Sequence, residues 1–267
     1  MSIDEAFREL RKKSEGALIA YITGGDPTPK YTPRIIEALV KGGADIIEIG
    51  IPFSDPIADG PTIQASDTRA LKAGTTPHII FDIVKETKKR VDVPIALLTY
   101  YNVLFRMGVK VFLDNASRHG VDGLVIPDLP IEEAEEYKEI TKEYGVDTIF
   151  LVTPSTSIRR LTNVLEFTSG FLYLVSIFGV TGMRDRIAKF TIQTIERFHP
   201  YTVKAVPLAV GFGISKPEHV SSVIGCGAEG AIVGSAFVKI VENNLGDSER
   251  LTDEVSVLAE NLKAATL

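Results

Sequence analysis

The 267-residue chain is 45% hydrophobic and 24% charged, a composition typical of a globular protein. Its formal net charge of −6 argues against nucleic-acid binding, which requires a basic face. The single cysteine, Cys226, rules out a disulfide framework and indicates a reducing compartment. The amino terminus lacks the apolar core of a signal peptide, and no apolar run is long enough to span a bilayer, so we expect a cytoplasmic protein.

A helix is predicted at the start of the chain. Ser2 and Glu5 have the spacing of a capping box, in which each side chain accepts a hydrogen bond from the other's backbone N–H. Ile3, Phe7 and Leu10 then fall on one face of the helix. Because this helix precedes any strand, we expect it to cover one open end of the structure that follows.

Eight short runs rich in Ile, Val, Leu and Ala follow, and each predicts a buried strand. The runs cover residues 17–23, 45–50, 94–100, 121–126, 146–152, 171–176, 206–210 and 230–233. The predicted helices cover residues 62–73, 77–90, 109–119, 132–144 and 157–167, with others ending near residues 42, 198 and 225 and two more after residue 235.

This alternation of strand and helix predicts the fold. Strands that are apolar on both faces are typical of parallel sheets, and eight right-handed β–α units close into a (β/α)8 TIM barrel. An open doubly wound sheet is the competing architecture, which the strand count disfavours. No Pro- or Ser-rich linker divides the chain, so we expect one domain over residues 1–267, with extra helices at the amino terminus and after strands 2 and 8.

Two acids mark the end of the second strand and its loop. Glu48 interrupts an apolar run, and alternation places it on the face opposite to Ile47 and Ile49. A buried carboxylate costs several kcal/mol or has a raised pKa, so Glu48 needs a salt bridge, access to water at the end of the strand, or a function. Asp59 follows on a proline-rich loop. Two acids at the carboxyl end of a barrel strand are what proton-transfer chemistry requires, and they predict an active site there.

Glycine-rich turns follow the last three predicted strands. Gly182, Gly213 and Gly234 with Ser235 lie where TIM barrels bind phosphate, since glycine lets backbone N–H groups approach an oxyanion closely. One such turn is weak evidence for a phosphate site, but glycine-rich turns on adjacent β–α units predict that the substrate is a phosphate ester.

Other chemistries fit the sequence less well. A Schiff-base enzyme needs a lysine at the carboxyl end of a strand, whereas Lys204 precedes the seventh strand and Lys216 begins a helix. A metal site needs clustered ligands, and no metal is predicted. The histidines are scattered over helices and helix ends at His78, His119, His199 and His219. Metal-free acid–base chemistry on a phosphorylated substrate remains.

The acidic segment also carries a family resemblance. Residues 48–64, EIGIPFSDPIADGPTIQ, resemble the signature of the tryptophan synthase alpha chain family. The resemblance runs nearly end to end and includes YITGGDP at 21–27, YYN at 100–102, PDLP at 127–130, GVTG at 179–182, GFGI at 211–214 and GS at 234–235. The acidic motif is specific, whereas the glycine pairs are shared with other phosphate-binding barrels.

This resemblance implies a lyase that splits indole-3-glycerol phosphate into indole and glyceraldehyde 3-phosphate. It implies that Glu48 and Asp59 are catalytic, while Tyr173 either orients Glu48 or the substrate or is simply a packed aromatic. The indole pocket would be formed by Tyr21, Leu98, Tyr100, Val125 and Phe212, and the phosphate site by Gly182, Gly213, Gly234 and Ser235.

The resemblance also implies a partner. The chain would need no cofactor of its own and would dock on a pyridoxal-phosphate-dependent beta chain, as the alpha subunit of an α2β2 complex. The long loops at 53–61 and 177–191, with Asp55 and Thr181, are predicted lid or docking segments. Two rival functions stay open: another phosphate-binding barrel enzyme of the same pathway, and a mainly regulatory subunit with weak activity.

Overall fold

The sheet is made of short strands that all run in the same direction. The computed structural model describes residues 1–176 and 184–267, and only the backbone over 184–189. Within these residues the nine strands are β1 (Ala17–Thr23), β2 (Ile46–Gly50), β3 (Ile95–Leu98), β4 (Gly123–Val125), β5 (Asp147–Ile149), β6 (Leu151–Val152), β7 (Leu172–Val175), β8 (Leu208–Gly211) and β9 (Gly230–Val233). They form one parallel sheet in the order β5-β4-β3-β2-β1-β9-β8-β7-β6.

The fifth predicted strand is divided in two at Phe150. The prediction of one continuous strand over 146–152 was therefore wrong in this detail. β5 pairs with β4 and β6 pairs with β7, where Leu151 lies opposite Tyr173. The carbonyl oxygen of Phe150 still accepts a hydrogen bond of 3.0 Å from the backbone N–H of Tyr173. The two halves together bring the sheet almost to closure, which confirms the predicted TIM barrel.

Helices alternate with these strands. Within the described ranges the twelve α-helices are α1 (Ile3–Lys13), α2 (Thr32–Lys41), α3 (Pro61–Lys72), α4 (Pro77–Lys88), α5 (Tyr101–Met107), α6 (Val109–His119), α7 (Glu135–Tyr144), α8 (Ile158–Phe167), α9 (Arg184–Thr202), α10 (Pro217–Gly225), α11 (Ser235–Asn243) and α12 (Ser248–Ala264). The extra helices expected after β2 and β9 are present as α3 with α4 and α11 with α12. No helix in the described part of the chain has the length and apolar character needed to cross a membrane.

Helix α5 was not predicted from the sequence. This helix is only seven residues long and buries one residue, Leu104, so its apolar periodicity is too short to recognise. It ends at Gly108, whose φ of 87° is a backbone conformation that favours glycine. Helix α9 also continues beyond its expected end at Phe198 and includes Pro200.

Side chains of the strands alternate between two apolar layers. Ile47 and Ile49 belong to the large layer between the sheet and the helices, whereas Ile46 belongs to the cluster inside the barrel. The predicted orientation of β2, with Glu48 facing inward, is therefore confirmed.

Helix α1 closes the amino-terminal end of the barrel. Its capping box between Ser2 and Glu5 is formed as predicted. Ile3, Phe7 and Leu10 are buried in the interior cluster of the barrel, and the Phe7 and Phe171 ring centroids lie 6.1 Å apart. This apolar contact seals one end, so the opposite end is left for a site.

Candidate active site

A cavity of about 280 Å³ opens at the carboxyl ends of the strands. Its walls come from five strands and from the loops that follow β2, β8 and β9. The lining residues are Tyr21, Glu48, Asp59, Gly60, Ile63, Leu98, Tyr173, Phe212, Gly213, Ile214, Ser215, Ile232, Gly234 and Ser235. Nine of these residues were predicted from the sequence, so most of the predicted site residues share one space.

Glu48 lies on β2 between Tyr21 of β1 and Ala96 of β3. Its side chain is fully buried, and neither carboxyl oxygen has a hydrogen-bond partner among the described residues. Burial, and then the nearby charge of Asp59, raises the pKa of Glu48 to about 8. A group with a pKa near neutrality can both give and take a proton.

Asp59 is held at the rim by Tyr100. The Tyr100 hydroxyl donates a hydrogen bond of 2.7 Å to Asp59 Oδ2 and accepts one of 2.9 Å from the backbone N–H of Ala58. The Gln64 side-chain amide donates to the backbone carbonyl of Asp59 at 2.8 Å. Burial raises the pKa of Asp59, and the hydrogen bond from Tyr100 opposes that rise because it favours the charged carboxylate.

The structure places two predicted wall residues outside the cavity lining. Tyr100 is directed to Asp59, and its ring stacks on Phe53 with centroids 5.1 Å apart. Val125 is fully buried in the interior cluster of the barrel.

The other walls are largely apolar. Tyr173 is buried, and its ring lies edge-on to Phe212, with centroids 6.0 Å apart. A Cβ atom at Gly211 would overlap the Tyr173 ring, so glycine is needed at that position. Five lining residues were not predicted from the sequence: Gly60, Ile63, Ile214, Ser215 and Ile232. Ile232 alone had a usable signal, since strand alternation places it on the inner face of β9.

Two glycine-containing turns provide backbone N–H groups on one side of the cavity. Helix α11 begins after Gly234 with no side-chain cap, so the first N–H groups of α11 are open to an anion. Phe212 and Gly213 have positive φ values of 67° and 78°. The Ser176 hydroxyl lies 2.6 Å from both the Gly211 and the Phe212 carbonyl oxygens, which fixes this turn. Gly182, also predicted here, lies outside the described residues.

An ion-pair bridge joins three segments of the chain: the turn after β1, α3 and α11. Arg69 of α3 donates two hydrogen bonds to Asp26, at 2.8 Å and 2.7 Å. Its remaining guanidinium nitrogen lies 3.7 Å from Glu242 of α11. The bridge therefore joins the helix after the acidic loop to the helix that begins at Ser235.

The predicted docking residues lie away from this cavity where they are described. Asp55 is exposed and accepts a hydrogen bond of 2.6 Å from the Ser54 hydroxyl. Ile57 on the same loop is 83% exposed, and Phe105 on α5 is 70% exposed. Thr181 lies outside the described residues. Ile57 and Phe105 are thus exposed apolar side chains on the connections that follow two paired strands, β2 and β3.

Neither lysine of the alternative mechanism lines the cavity, although Lys216 directly follows the lining residue Ser215. Lys204 is exposed and precedes β8, at the opposite end of the barrel. Lys216 is exposed at the start of α10. No group of three or more His, Cys, Asp or Glu side chains in the described ranges is placed to share a metal ion.

The raised pKa of Glu48 predicts a pH-dependent stability. Between its ordinary pKa of 4.5 and about 8, the unfolded chain loses this proton while the folded protein keeps it. Relative to Glu48→Gln, the wild type should therefore lose up to about 1.4 kcal/mol of stability per pH unit over this range. Urea unfolding at about pH 5 and about pH 8 measures the difference. Relative to the exposed-site control Glu139→Gln, the wild type should show no such loss, and an equal loss relative to both variants would contradict the assignment.

Comparisons with known proteins agree with this geometry. A sequence profile of the tryptophan synthase alpha chain family matches residues 7–267. The tryptophan synthase alpha chain of Methanosarcina mazei is 48% identical over 265 residues, which cover 99% of this chain and 94% of that protein. The structure of the alpha subunit from Legionella pneumophila superposes with a TM-score of 0.90 at 31% identity, covering 100% of this chain and 98% of the other.

A further solved structure is that of the α2β2 tryptophan synthase complex of Pyrococcus furiosus, described as showing mutual activation. It superposes with a TM-score of 0.85 at 44% identity and covers 94% of this chain and 98% of the other. The profile, the relatives and the superpositions agree over nearly the whole length, and the chain belongs to the tryptophan synthase alpha chain family.

Proposed function

We propose that this chain is a carbon–carbon lyase that converts indole-3-glycerol phosphate into indole and glyceraldehyde 3-phosphate. One observation carries the proposal: Glu48, Asp59 and the amino terminus of α11 all face the same apolar cavity. Glu48 can exchange a proton with the reacting carbon, and Asp59 can accept a hydrogen bond from the indole nitrogen. The apolar walls can pack against the indole ring, and the amino terminus of α11 can bind the phosphate.

The reaction breaks the bond between indole C3 and the adjacent carbon of the glycerol phosphate chain. Because its pKa is about 8, Glu48 carries a proton in most molecules at neutral pH and can donate it to C3. The resulting carboxylate then takes the proton of the hydroxyl on the adjacent carbon as the C–C bond breaks and the aldehyde forms. Glu48 thus returns to its starting state.

Asp59 stabilises the charge that appears during this step. Protonation of C3 places positive charge on the indole ring, and an ionised Asp59 can accept a hydrogen bond from the indole N–H. The hydrogen bond from Tyr100 favours this ionised form. Tyr173 packs beside the reacting centre, where we propose that it orients the substrate or Glu48.

The assembly follows from the same assignment. We propose that the chain acts as one domain without a cofactor of its own, in the cytoplasm. It would be the alpha subunit of an α2β2 tryptophan synthase, with pyridoxal phosphate only in the beta chain. The exposed Ile57 and Phe105 support a contact beside the cavity mouth, and the loops with Asp55 and Thr181 would form part of it.

The acids give the direct test. Glu48→Gln and Asp59→Asn should each lower kcat for indole release by about 100-fold or more, because each removes a group that the transition state needs. KM should change far less, because the phosphate is bound elsewhere. Asp55→Asn, an exposed acid on the same loop, is the control and should leave the isolated chain active. Near-normal turnover by Glu48→Gln would refute the mechanism, and a wild type that releases no indole would favour another barrel enzyme.

The phosphate site predicts a charge effect at Ser235. Ser235→Asp should raise KM for indole-3-glycerol phosphate by about tenfold or more, because its carboxylate repels the phosphate. An acid in the first turn also favours the helix, so folding should be kept. Ser235→Ala is the neutral control and should change KM by less than about threefold. Inhibition by glycerol phosphate provides an independent readout, and equal inhibition of wild type and Ser235→Asp would place the phosphate elsewhere.

The partner contact predicts activation by the beta chain. Docking over the mouth should exclude water and raise kcat of the alpha reaction, beyond any change in KM. Asp55→Ala should reduce this activation, whereas Asp253→Ala, an exposed site on α12, should not. Titration of each variant with the beta chain measures the effect. Full activation of Asp55→Ala would show that this acid is not part of the contact.

A further inference from the structure

Phe212 has a backbone conformation that is unusual for a bulky residue. It directly follows β8, and its φ of 67° lies in the left-handed region that favours glycine. The next residue, Gly213, has a φ of 78°, so two successive left-handed residues form the turn. A strained residue of this kind persists only where neighbouring groups hold it, and such residues concentrate at ligand sites.

The group that holds this turn is Ser176, which directly follows β7. Its backbone N–H donates a hydrogen bond of 2.9 Å to the Gly211 carbonyl oxygen, which extends the pairing of Val175 with Gly211 by one residue. Its hydroxyl lies 2.6 Å from the carbonyl oxygens of both Gly211 and Phe212. The Ser176 side chain therefore begins to act where the backbone ladder between β7 and β8 ends.

The hydroxyl satisfies two carbonyl oxygens that lie close to one point. Carbonyl groups of successive residues repel each other when they converge, and a buried carbonyl without a donor is costly. Ser176 is only 2% exposed, so water has little access to this point. The shared hydroxyl proton offsets the repulsion and thereby supports the left-handed conformation of Phe212.

The turn forms one wall of the cavity. Four consecutive residues of the lining, from Phe212 to Ser215, begin at the carbonyl that Ser176 holds. The Phe212 ring also packs edge-on against Tyr173. Ser176 is not itself one of the described lining residues. Its effect on a substrate must therefore pass through the turn.

We propose that Ser176 is a positioning residue for substrate binding: its hydroxyl holds Phe212 in the left-handed conformation and so places the wall against the indole ring and Gly213 towards the phosphate. This inference rests on the proposed function. Glu48 and Asp59 belong to β2 and its loop, so Ser176 acts on the binding of the substrate and not on proton transfer.

Removal of the hydroxyl tests this role. Ser176→Ala keeps the backbone bond to Gly211 and should raise KM for indole-3-glycerol phosphate by about tenfold or more, because the wall is no longer held in place. The kcat should change by less than about threefold, since Glu48 and Asp59 are untouched. This pattern is the reverse of that expected for Glu48→Gln. A loss of kcat with an unchanged KM would contradict the proposal.

A matched control removes another buried hydroxyl. Thr148 on β5 is 5% exposed, and its hydroxyl donates a hydrogen bond of 2.6 Å to the Phe167 carbonyl oxygen. Thr148→Val should lower the melting temperature, as Ser176→Ala should, but should leave KM and kcat within about threefold of wild type. An equal rise of KM in both variants would show that general destabilisation is the cause and would overturn the proposal.

Indole binding provides a readout that needs no turnover. The chain contains no tryptophan, so the fluorescence anisotropy of added indole reports its binding. Ser176→Ala should bind indole about fivefold or more weakly than wild type, whereas Thr148→Val should bind it equally well. Unchanged indole binding by Ser176→Ala would refute the placement of the wall.

A cysteine variant serves if Ser176→Ala folds poorly. The thiol of Ser176→Cys fills the space of the hydroxyl but is a weak donor, so indole binding should be weaker than in wild type by about threefold or more. Indole binding as tight as in wild type would show that the hydrogen bond is not required.

A double-mutant cycle tests the route through Phe212. Glycine adopts the left-handed conformation without strain, so Phe212→Gly removes the need for support, although the loss of the ring should itself raise KM. Adding Ser176→Ala to Phe212→Gly should raise KM by less than about a further threefold. A full second rise of KM would show that Ser176 acts by another route.

The conformation of the turn can be observed directly. In a crystal structure of Ser176→Ala, the φ of Phe212 should be negative and its ring should have moved from Tyr173. An unchanged turn would refute the proposal. A wild type without lyase activity would reject the proposed function instead, while this structure would still decide whether Ser176 holds Phe212.

Discussion

Closure of the parallel sheet is the constraint on which the site depends. β1 pairs with β9, with Ala17 opposite Gly230, so the first and last strands lie side by side. Because all strands run in one direction, their carboxyl ends meet at a single mouth. Helix α1 fills the other end. Residues that are far apart in the sequence, such as Tyr21 and Ser235, therefore line the same cavity without any long-range connection of their own.

Crowding of acids at this mouth is the main electrostatic feature of the structure. Asp26 has a guanidinium partner in Arg69, whereas Glu48 and Asp67 have pKa values raised to about 8. Protonation of these two groups lowers the repulsion around Asp59. Glu48 thus lies beside Asp59, whose own rise in pKa is opposed by the hydrogen bond from Tyr100, and acid–base catalysis uses such a difference between two neighbouring acids.

Sequence reasoning found the features that depend on local pattern. Glu48 was visible because a charge breaks an apolar strand, and the strands were visible from their composition. It missed contacts that depend on the path of a loop, such as the bond from Tyr100 to Asp59. Asp67 of α3 is only 4% exposed, although nothing in the local sequence distinguishes it from an acid on an exposed helix face. The fifth predicted strand is interrupted at Phe150 because β5 pairs with β4 whereas β6 pairs with β7. This interruption depends on how the barrel closes and cannot be read from the local sequence.

The bridge of Asp26, Arg69 and Glu242 has a consequence for the walls of the cavity. It ties α3 to α11, and these two helices also pack against each other. The first turns of the same two helices carry Ile63 and Ser235, which both line the cavity. The bridge therefore helps to hold these two walls in place relative to each other, although none of its own three residues lines the cavity.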